Sequence, residues 1–124
     1  MNVVDSCGWL EYFADGENAD FFAPILEDTD HLLVPSMTVF EVCKRIMLQR
    51  GEEAARKAAE FMAQGVPLPL TEETALAAAL YSAQHQLALA DSIILQSAIE
   101  QGATLWTQDA DLNGYAGVNY KSKP

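Results

Sequence analysis

The chain has 124 residues, half of them hydrophobic and a fifth charged, a composition that favours one globular domain over residues 1–124 and argues against disorder. Because it has neither an apolar run of membrane-spanning length nor a basic leader, we expect a cytoplasmic protein without a membrane anchor. The excess of 18 Asp and Glu over 7 Lys and Arg gives a formal net charge of −11, which argues against a simple nucleic-acid-binding module.

Apolar periodicity and turn residues predict strands that alternate with helices along the chain. The predicted strands cover residues 2–5, 31–34, 66–70, 103–107 and 118–120. The predicted helices cover residues 6–14, 18–27, 35–50, 52–64, 71–85 and 90–101. Pro67 and Pro69 indicate that the third of these is an edge strand or an extended segment. This alternation predicts an α/β fold with a parallel sheet covered on both faces.

Four acids stand at or just past the edges of apolar segments: Asp5, Glu41, Asp91 and Asp109. Asp5 ends the first strand, Asp109 follows the fourth, and Asp91 lies in the first turn of a helix, where a carboxylate is favoured. Because sites in parallel sheets form at the carboxyl ends of the strands, all four can reach one edge. A hard divalent cation is the natural partner of such a cluster. The cluster therefore predicts metal-assisted phosphodiester hydrolysis.

The same acids also have simpler interpretations, which the sequence leaves open. Asp5 can simply cap the helix that follows it, and Asp91 can simply interact with a helix dipole. Asp109 and Asp111 can simply be turn residues. Glu41 can complete a capping box with Thr38 or form an ion pair with Arg45, four residues on. Only the joint placement of the acids at strand ends favours a catalytic site.

Four segments resemble, in order and spacing, the motifs of the PIN domain family: residues 2–6, 35–42, 89–94 and 107–112. In particular, the chain resembles the VapC-type toxin ribonucleases of bacterial and archaeal toxin-antitoxin pairs. The resemblance spans nearly the whole chain. It implies a three-layer α/β/α domain with a mainly parallel sheet of four or five strands. It also implies cleavage of RNA with Mg²⁺ or Mn²⁺, a homodimer, and inhibition by a cognate antitoxin protein.

By position, the resemblance assigns metal binding and catalysis to Asp5, Glu41, Asp91 and Asp109. The resemblance also allows Asp111 to share or replace the role of Asp109. Ser6 and Thr107 stand beside these acids and are placed to support them. Two positions depart from the family pattern, because Gln108 stands where a basic residue is common and Leu112 where an aromatic one is common.

Two further groups of residues suggest binding surfaces. The basic residues are concentrated between positions 44 and 57, and we expect them to guide RNA toward Glu41, unless they only solvate a helix face. The candidates are Lys44, Arg45, Arg50 and Arg56. Trp9 and Phe13 are expected to contribute to a groove for an antitoxin helix, with core packing as the alternative use.

Two other functions compete with a ribonuclease. A catalytically inactive interaction module of the same fold would carry the same carboxylates. A phospho-accepting receiver domain also gathers acids at the end of a parallel sheet, but it needs adjacent acids after its first strand and a late lysine. Here Asp5 stands alone, and Lys121 and Lys123 lie in the tail. The sequence leaves open the RNA target, the antitoxin and the number of metal ions.

Overall fold

The computed structural model describes residues 1–124 and contains one sheet of five strands. The strands are β1 (Asn2–Val4), β2 (Leu32–Pro35), β3 (Val66–Leu68), β4 (Thr104–Thr107) and β5 (Val118–Tyr120). The helices are α1 (Ser6–Phe13), α2 (Ala19–Leu26), α3 (Ser36–Arg50), α4 (Glu52–Met62), α5 (Glu72–His85) and α6 (Leu89–Glu100). All the predicted strands and helices are present. None of the helices combines the length and the apolar character needed to cross a membrane.

The strands are all parallel and lie in the order β3-β2-β1-β4-β5. From β1 the chain runs outward through β2 to β3, and it then crosses back to place β4 on the other side of β1. The strand order therefore reverses between β1 and β4, and the carboxyl ends of these strands form a crevice of the kind in which α/β proteins bind ligands. Strand β3 is an edge strand, as its prolines predict, but it ends at Leu68.

Each face of the sheet has its own core, because neighbouring strand residues point to opposite faces. Val4, Leu32 and Val34 pack into a cluster beneath α1 to α4. Val3 and Leu33 pack on the other face, with α5 and α6. The predicted three-layer α/β/α arrangement is confirmed. It leaves the carboxyl edge of the sheet as the place where loops and helix N-termini from both outer layers meet.

The capping-box interpretation of Thr38 and Glu41 is wrong. Helix α3 begins at Ser36 with Pro35 as its N-cap, and no side chain caps it. Thr38 thus lies inside the first turn, fully buried, and its hydroxyl has no hydrogen-bond partner. Glu41 therefore has no capping role at the start of this helix.

We expect Thr38→Val to raise the free energy of unfolding by about 1 kcal/mol, because a methyl group replaces a buried hydroxyl that makes no hydrogen bond. Thr71 offers a matched control, since its hydroxyl accepts a hydrogen bond from the backbone N–H of Thr74 at 3.1 Å and caps α5. Thr71→Val should lower the free energy of unfolding by about 1 kcal/mol. Urea denaturation measures both. A similar loss at both positions would contradict the description of Thr38.

Candidate metal centre

Asp5 lies at the centre of the crevice, where it follows β1 and caps α1. It is only 4% exposed. Its Oδ1 accepts hydrogen bonds from the Gly8 N–H at 3.2 Å and the Cys7 thiol at 2.9 Å, and its Oδ2 accepts one from the Thr107 hydroxyl at 2.5 Å. Burial raises the pKa of Asp5, the hydrogen bonds oppose the rise, and the charge of Asp109 adds to it. The cap interpretation of Asp5 is correct, but capping accounts for only one of these contacts.

Three more carboxylates meet beside Asp5. One oxygen from each of Asp91, Asp109 and Asp111 lies within 4.8 Å of the others. Asp91 is in the first turn of α6, and Asp109 follows β4 and accepts a hydrogen bond from the Asp111 N–H at 2.9 Å. That bond caps a short 3-10 turn (Ala110–Leu112), so the turn interpretation of Asp109 is also correct. The turn itself brings both candidate acids up to Asp91.

The electrostatics of Asp91 show how closely the acids are grouped. Burial raises the pKa of Asp91 from 3.8 to about 7, and the negative charges of Asp109, Asp5 and Asp111 add to the rise. None of the three ion pairs in the protein involves these acids. The group therefore carries several negative charges without a protein cation to offset them, and a proton or a metal ion is its natural partner.

Glu41 approaches Asp5 from α3. Burial raises the pKa of the half-buried Glu41, the Ser6 hydroxyl lowers it, and the charge of Asp5 raises it. Arg45 forms no ion pair with Glu41, so that interpretation is wrong. The structure thus brings together all four predicted acids, with Asp5 coupled by charge both to Glu41 and to the group around Asp91.

The donor set at this edge fits a hard divalent cation. Mg²⁺ and Mn²⁺ prefer carboxylate oxygens, and Mg²⁺ needs only one or two of them because it keeps several waters. Cys7 is the nearest soft donor, but burial, the charge of Asp5 and their hydrogen bond raise its pKa to about 12, opposed by weaker contacts to Gln108 and Thr107. Its thiol therefore stays protonated and acts as a hydrogen-bond donor rather than as a thiolate ligand.

The sequence model of the PIN domain family matches residues 3–118, a range that covers most of the chain and all four of these acids. The chain belongs to the PIN domain family. No curated protein sequence matches it. Its fold is similar to that of a toxin-antitoxin complex from Klebsiella pneumoniae, with a TM-score of 0.78, 21% identity and 96% of each chain covered.

Two more solved structures resemble this PIN domain. One is VapC20 of Mycobacterium tuberculosis, described as a sarcin-ricin loop cleaving toxin, with a TM-score of 0.75, 13% identity, and 95% of this chain and 98% of that chain covered. The other is DNA-bound VapBC from Salmonella typhimurium, with a TM-score of 0.73, 16% identity and 98% of each chain covered. At these identities the likeness shows the shared fold.

Two residues tie Asp5 to its surroundings in this PIN domain. Thr107 is fully buried, and its hydroxyl donates to Asp5 and accepts the Asp109 N–H at 2.9 Å. It therefore lies where the sequence predicts a supporting residue. Cys7 was not predicted as a residue of this site. Its position two residues after Asp5 is a usable signal, because residues just after a helix N-cap lie close to the capping side chain.

The two departures from the family pattern have structural explanations. Gln108 is 7% exposed, and its Oε1 accepts a hydrogen bond from the Asn18 side chain at 3.0 Å, so it ties β4 to the start of α2. Leu112 is fully buried and belongs to the core beneath α5 and α6. Both residues thus have packing roles that need neither a base nor an aromatic ring.

Only one of the two candidate antitoxin residues, Phe13, lines a groove in the structure. Trp9 is 1% exposed and belongs to the core, so its indole does not line a surface groove. Phe13 is partly buried and, with Phe61 and Ala54, lines a groove of about 420 Å³ between α1, α3 and α4. A groove is therefore present at Phe13, and Trp9 does not line it.

Of the four candidate RNA-guiding residues, only two lie in a cleft beside the carboxylates. Lys44 and Arg45 line a cleft with Glu41. Arg50 instead lines the groove at Phe13, and Arg56 forms an ion pair with Glu52 at 2.8 Å. Only the first two residues are therefore placed beside the carboxylates.

Proposed function

We propose that this PIN domain is a metal-dependent endoribonuclease that acts as a VapC-type toxin. The observation that carries the proposal is the group of acids at the carboxyl edge of β1 and β4, which has no cation of its own. Asp5, Asp91 and Asp109 come from three different parts of the fold: the end of β1, the first turn of α6 and the segment after β4. The similar solved structures described as toxins support the choice of RNA as the substrate.

In this proposal Asp91, Asp109 and Asp111 hold Mg²⁺ or Mn²⁺, and Asp5 completes or supports the ligand set. When bound, the ion polarises a phosphoryl oxygen and lowers the pKa of a bound water. Thr107 and Cys7 keep the Asp5 oxygens in a fixed orientation through their hydrogen bonds. Glu41, whose pKa is raised by burial, accepts a proton from the attacking water in this proposal.

We expect the affinity for Mn²⁺ to rise with pH, because the proton that Asp91 holds up to about pH 7 must leave before the ion binds. Below that pKa the dissociation constant should fall about tenfold per pH unit, the slope expected when one proton is released. Calorimetry in buffers of different ionisation enthalpy measures both the affinity and the released proton. A dissociation constant that stays unchanged between about pH 5 and pH 7 would contradict this coupling.

The family match and a cleavage assay distinguish the ribonuclease from the two competing functions. The match to the PIN domain family argues against a receiver domain, because receiver domains belong to a different family. An inactive interaction module remains, and it shares every carboxylate. Purified protein that cuts RNA with Mn²⁺ and stops with EDTA supports the nuclease, whereas a folded protein that binds Mn²⁺ and cuts no RNA supports the module.

We further propose that Lys44 and Arg45 attract the RNA backbone to the site. Replacing both with Glu should raise KM about tenfold at low salt, and the effect should shrink as salt screens the charges. Arg56→Gln is the matched control, because its charge is already offset by Glu52. Cleavage kinetics at about 50 mM and 200 mM salt test this. Equal changes in the two variants would show that overall charge, and not this position, matters.

The proposal includes a cognate antitoxin, because the Klebsiella structure is described as a toxin-antitoxin complex. In this proposal an antitoxin helix occupies the groove at Phe13, which is also lined by Ile46, Phe61, Arg50 and Lys57. The predicted homodimer stays a prediction. Leu76, Leu80 and Leu89 are 67%, 59% and 69% exposed, and they give α5 and α6 an apolar surface that a second copy would cover.

A further inference from the structure

A cleft of about 520 Å³ opens between α1 and α3 directly beside the carboxylates. Its volume is within the range of about 300–1,000 Å³ that is usual for sites of small ligands. The residues that line it are Ser6, Cys7, Leu10, Phe40, Glu41, Lys44, Arg45 and Leu48. Cys7 donates to Asp5 and the charge of Asp5 acts on Glu41, so the floor of the cleft is continuous with the candidate metal centre.

The outer wall of this cleft exposes an aromatic ring. Phe40 is 62% exposed although it directly precedes Glu41 in α3. Phe40, Lys44 and Leu48 follow one another at four-residue spacing, which places them in one row along the helix surface. Leu48 is 76% exposed. Neither large apolar side chain is held in the core, so the row presents apolar surface to whatever enters the cleft.

The charges in the cleft are unlike those of the rest of the chain. The Lys44 ammonium lies 5.8 Å from the centroid of the Phe40 ring, and Arg45 lies one residue further along the same wall. Neither cation belongs to an ion pair. In a chain with a formal net charge of −11, two unpaired cations beside an acidic site are complementary to a phosphate group.

We propose that this cleft binds one nucleotide of single-stranded RNA next to the scissile phosphate, with its base stacked on Phe40 and its phosphate at Lys44 and Arg45. The inference rests on the proposed function, since the bound strand is the substrate of the carboxylates. Stacking on an exposed aromatic ring accepts any base, and it requires a base face that a duplex keeps covered. RNA is favoured over a protein helix because the cleft carries cations beside its ring and leads to the carboxylates.

The test compares Phe40→Ala with Phe40→Trp and with Met47→Ala. Met47 is a matched control, because it is 48% exposed on the same helix and does not line the cleft. We expect Phe40→Ala to raise KM for single-stranded RNA about tenfold with little change in kcat, as expected when uniform binding is lost. Phe40→Trp should keep KM close to that of the wild type, and Met47→Ala should leave it unchanged. An unchanged KM in Phe40→Ala overturns the proposal.

A binding measurement separates this proposal from the nuclease activity. Fluorescence anisotropy with labelled RNA is measured for Asp91→Asn and for the same protein with Phe40→Ala added. Weaker binding of single strands but not of duplex in the second protein supports the cleft, even if the wild type cuts no RNA. Equal binding by the two proteins overturns it, even if the wild type is an active nuclease. Mn²⁺ binding by Phe40→Ala with its carboxylates intact should match that of the wild type.

Discussion

Asp91→Asn should lower kcat/KM for RNA cleavage by about 10³-fold or more, because a metal ion supplies several kcal/mol of transition-state stabilisation and each 1.36 kcal/mol is a factor of ten. The same substitution should raise the melting temperature of the metal-free protein at neutral pH. Asp91 stands among Asp5, Asp109 and Asp111, and their charges together with burial raise its pKa to about 7. Removing its charge therefore relieves repulsion that a bound cation would otherwise offset.

The sign of the pH dependence follows from that pKa. The folded protein holds the Asp91 proton up to about pH 7, whereas the unfolded chain releases it near the ordinary value of 3.8. The contribution of Asp91 to stability is therefore lost as pH rises from about 4 to 7, and the metal-free protein should melt at lower temperature near pH 8 than near pH 5. Asp91→Asn should flatten this dependence.

Asp20→Asn is the matched control for Asp91→Asn. Asp20 is an exposed acid in the first turn of α2, so it resembles Asp91 in lying in the first turn of a helix but is not part of the acidic group. We expect Asp20→Asn to keep wild-type cleavage and to leave the pH dependence of melting unchanged. Asp91→Asn that retained wild-type activity would remove Asp91 from the ligand set.

Trp9→Ala should lower the free energy of unfolding by about 3–5 kcal/mol, the cost of deleting a large buried aromatic side chain. Trp9 is 1% exposed, and its ring stacks on Phe13 at 5.7 Å and meets the edge of Phe61 at 6.2 Å between centroids. Such a loss is a large part of the roughly 5–15 kcal/mol that stabilises a domain. Phe13→Ala should cost less, because Phe13 is only partly buried.

Urea denaturation of Trp9→Ala, Trp9→Phe and Phe13→Ala tests this order. Trp9→Phe keeps a ring in the core and removes an indole N–H that has no hydrogen-bond partner, so we expect it to cost under about 1.5 kcal/mol. Wild-type stability in Trp9→Ala would contradict the burial of this side chain. It would also restore the interpretation of Trp9 as a groove residue.

The local parts of this fold were predictable because they depend on neighbouring residues. The consecutive apolar residues Val3 and Val4 indicate a strand covered on both faces, and Pro67 confines its strand to an edge. Asp5 directly follows β1 and Asp109 lies two residues after the end of β4, so the strand ends alone bring both acids to the carboxyl edge of the sheet. The contact of Asp109 with Asp91 depends on β4 lying beside β1, and this order is a property of the whole sheet.

The remaining errors arose where a residue type has two common uses. Thr38 with Glu41 matches a capping box, but Pro35 is already extended, with a φ of −65° and a ψ of 145°, and α3 starts directly after it. Trp9 lies on the apolar face of α1, and the pattern does not tell a core face from a groove. The ion pair of Arg56 with Glu52 was predictable from its four-residue spacing.

The most direct test of the account is a titration of the wild-type protein with Mn²⁺ in which metal binding and RNA cleavage are followed in parallel. We expect cleavage to be absent in EDTA, to return on addition of Mn²⁺, and to rise over the same concentrations at which the ion binds. The variant that combines Asp5→Asn with Asp91→Asn should neither bind Mn²⁺ nor cleave RNA over this range. Cleavage that persists in EDTA would contradict the claim that these carboxylates act through a divalent ion.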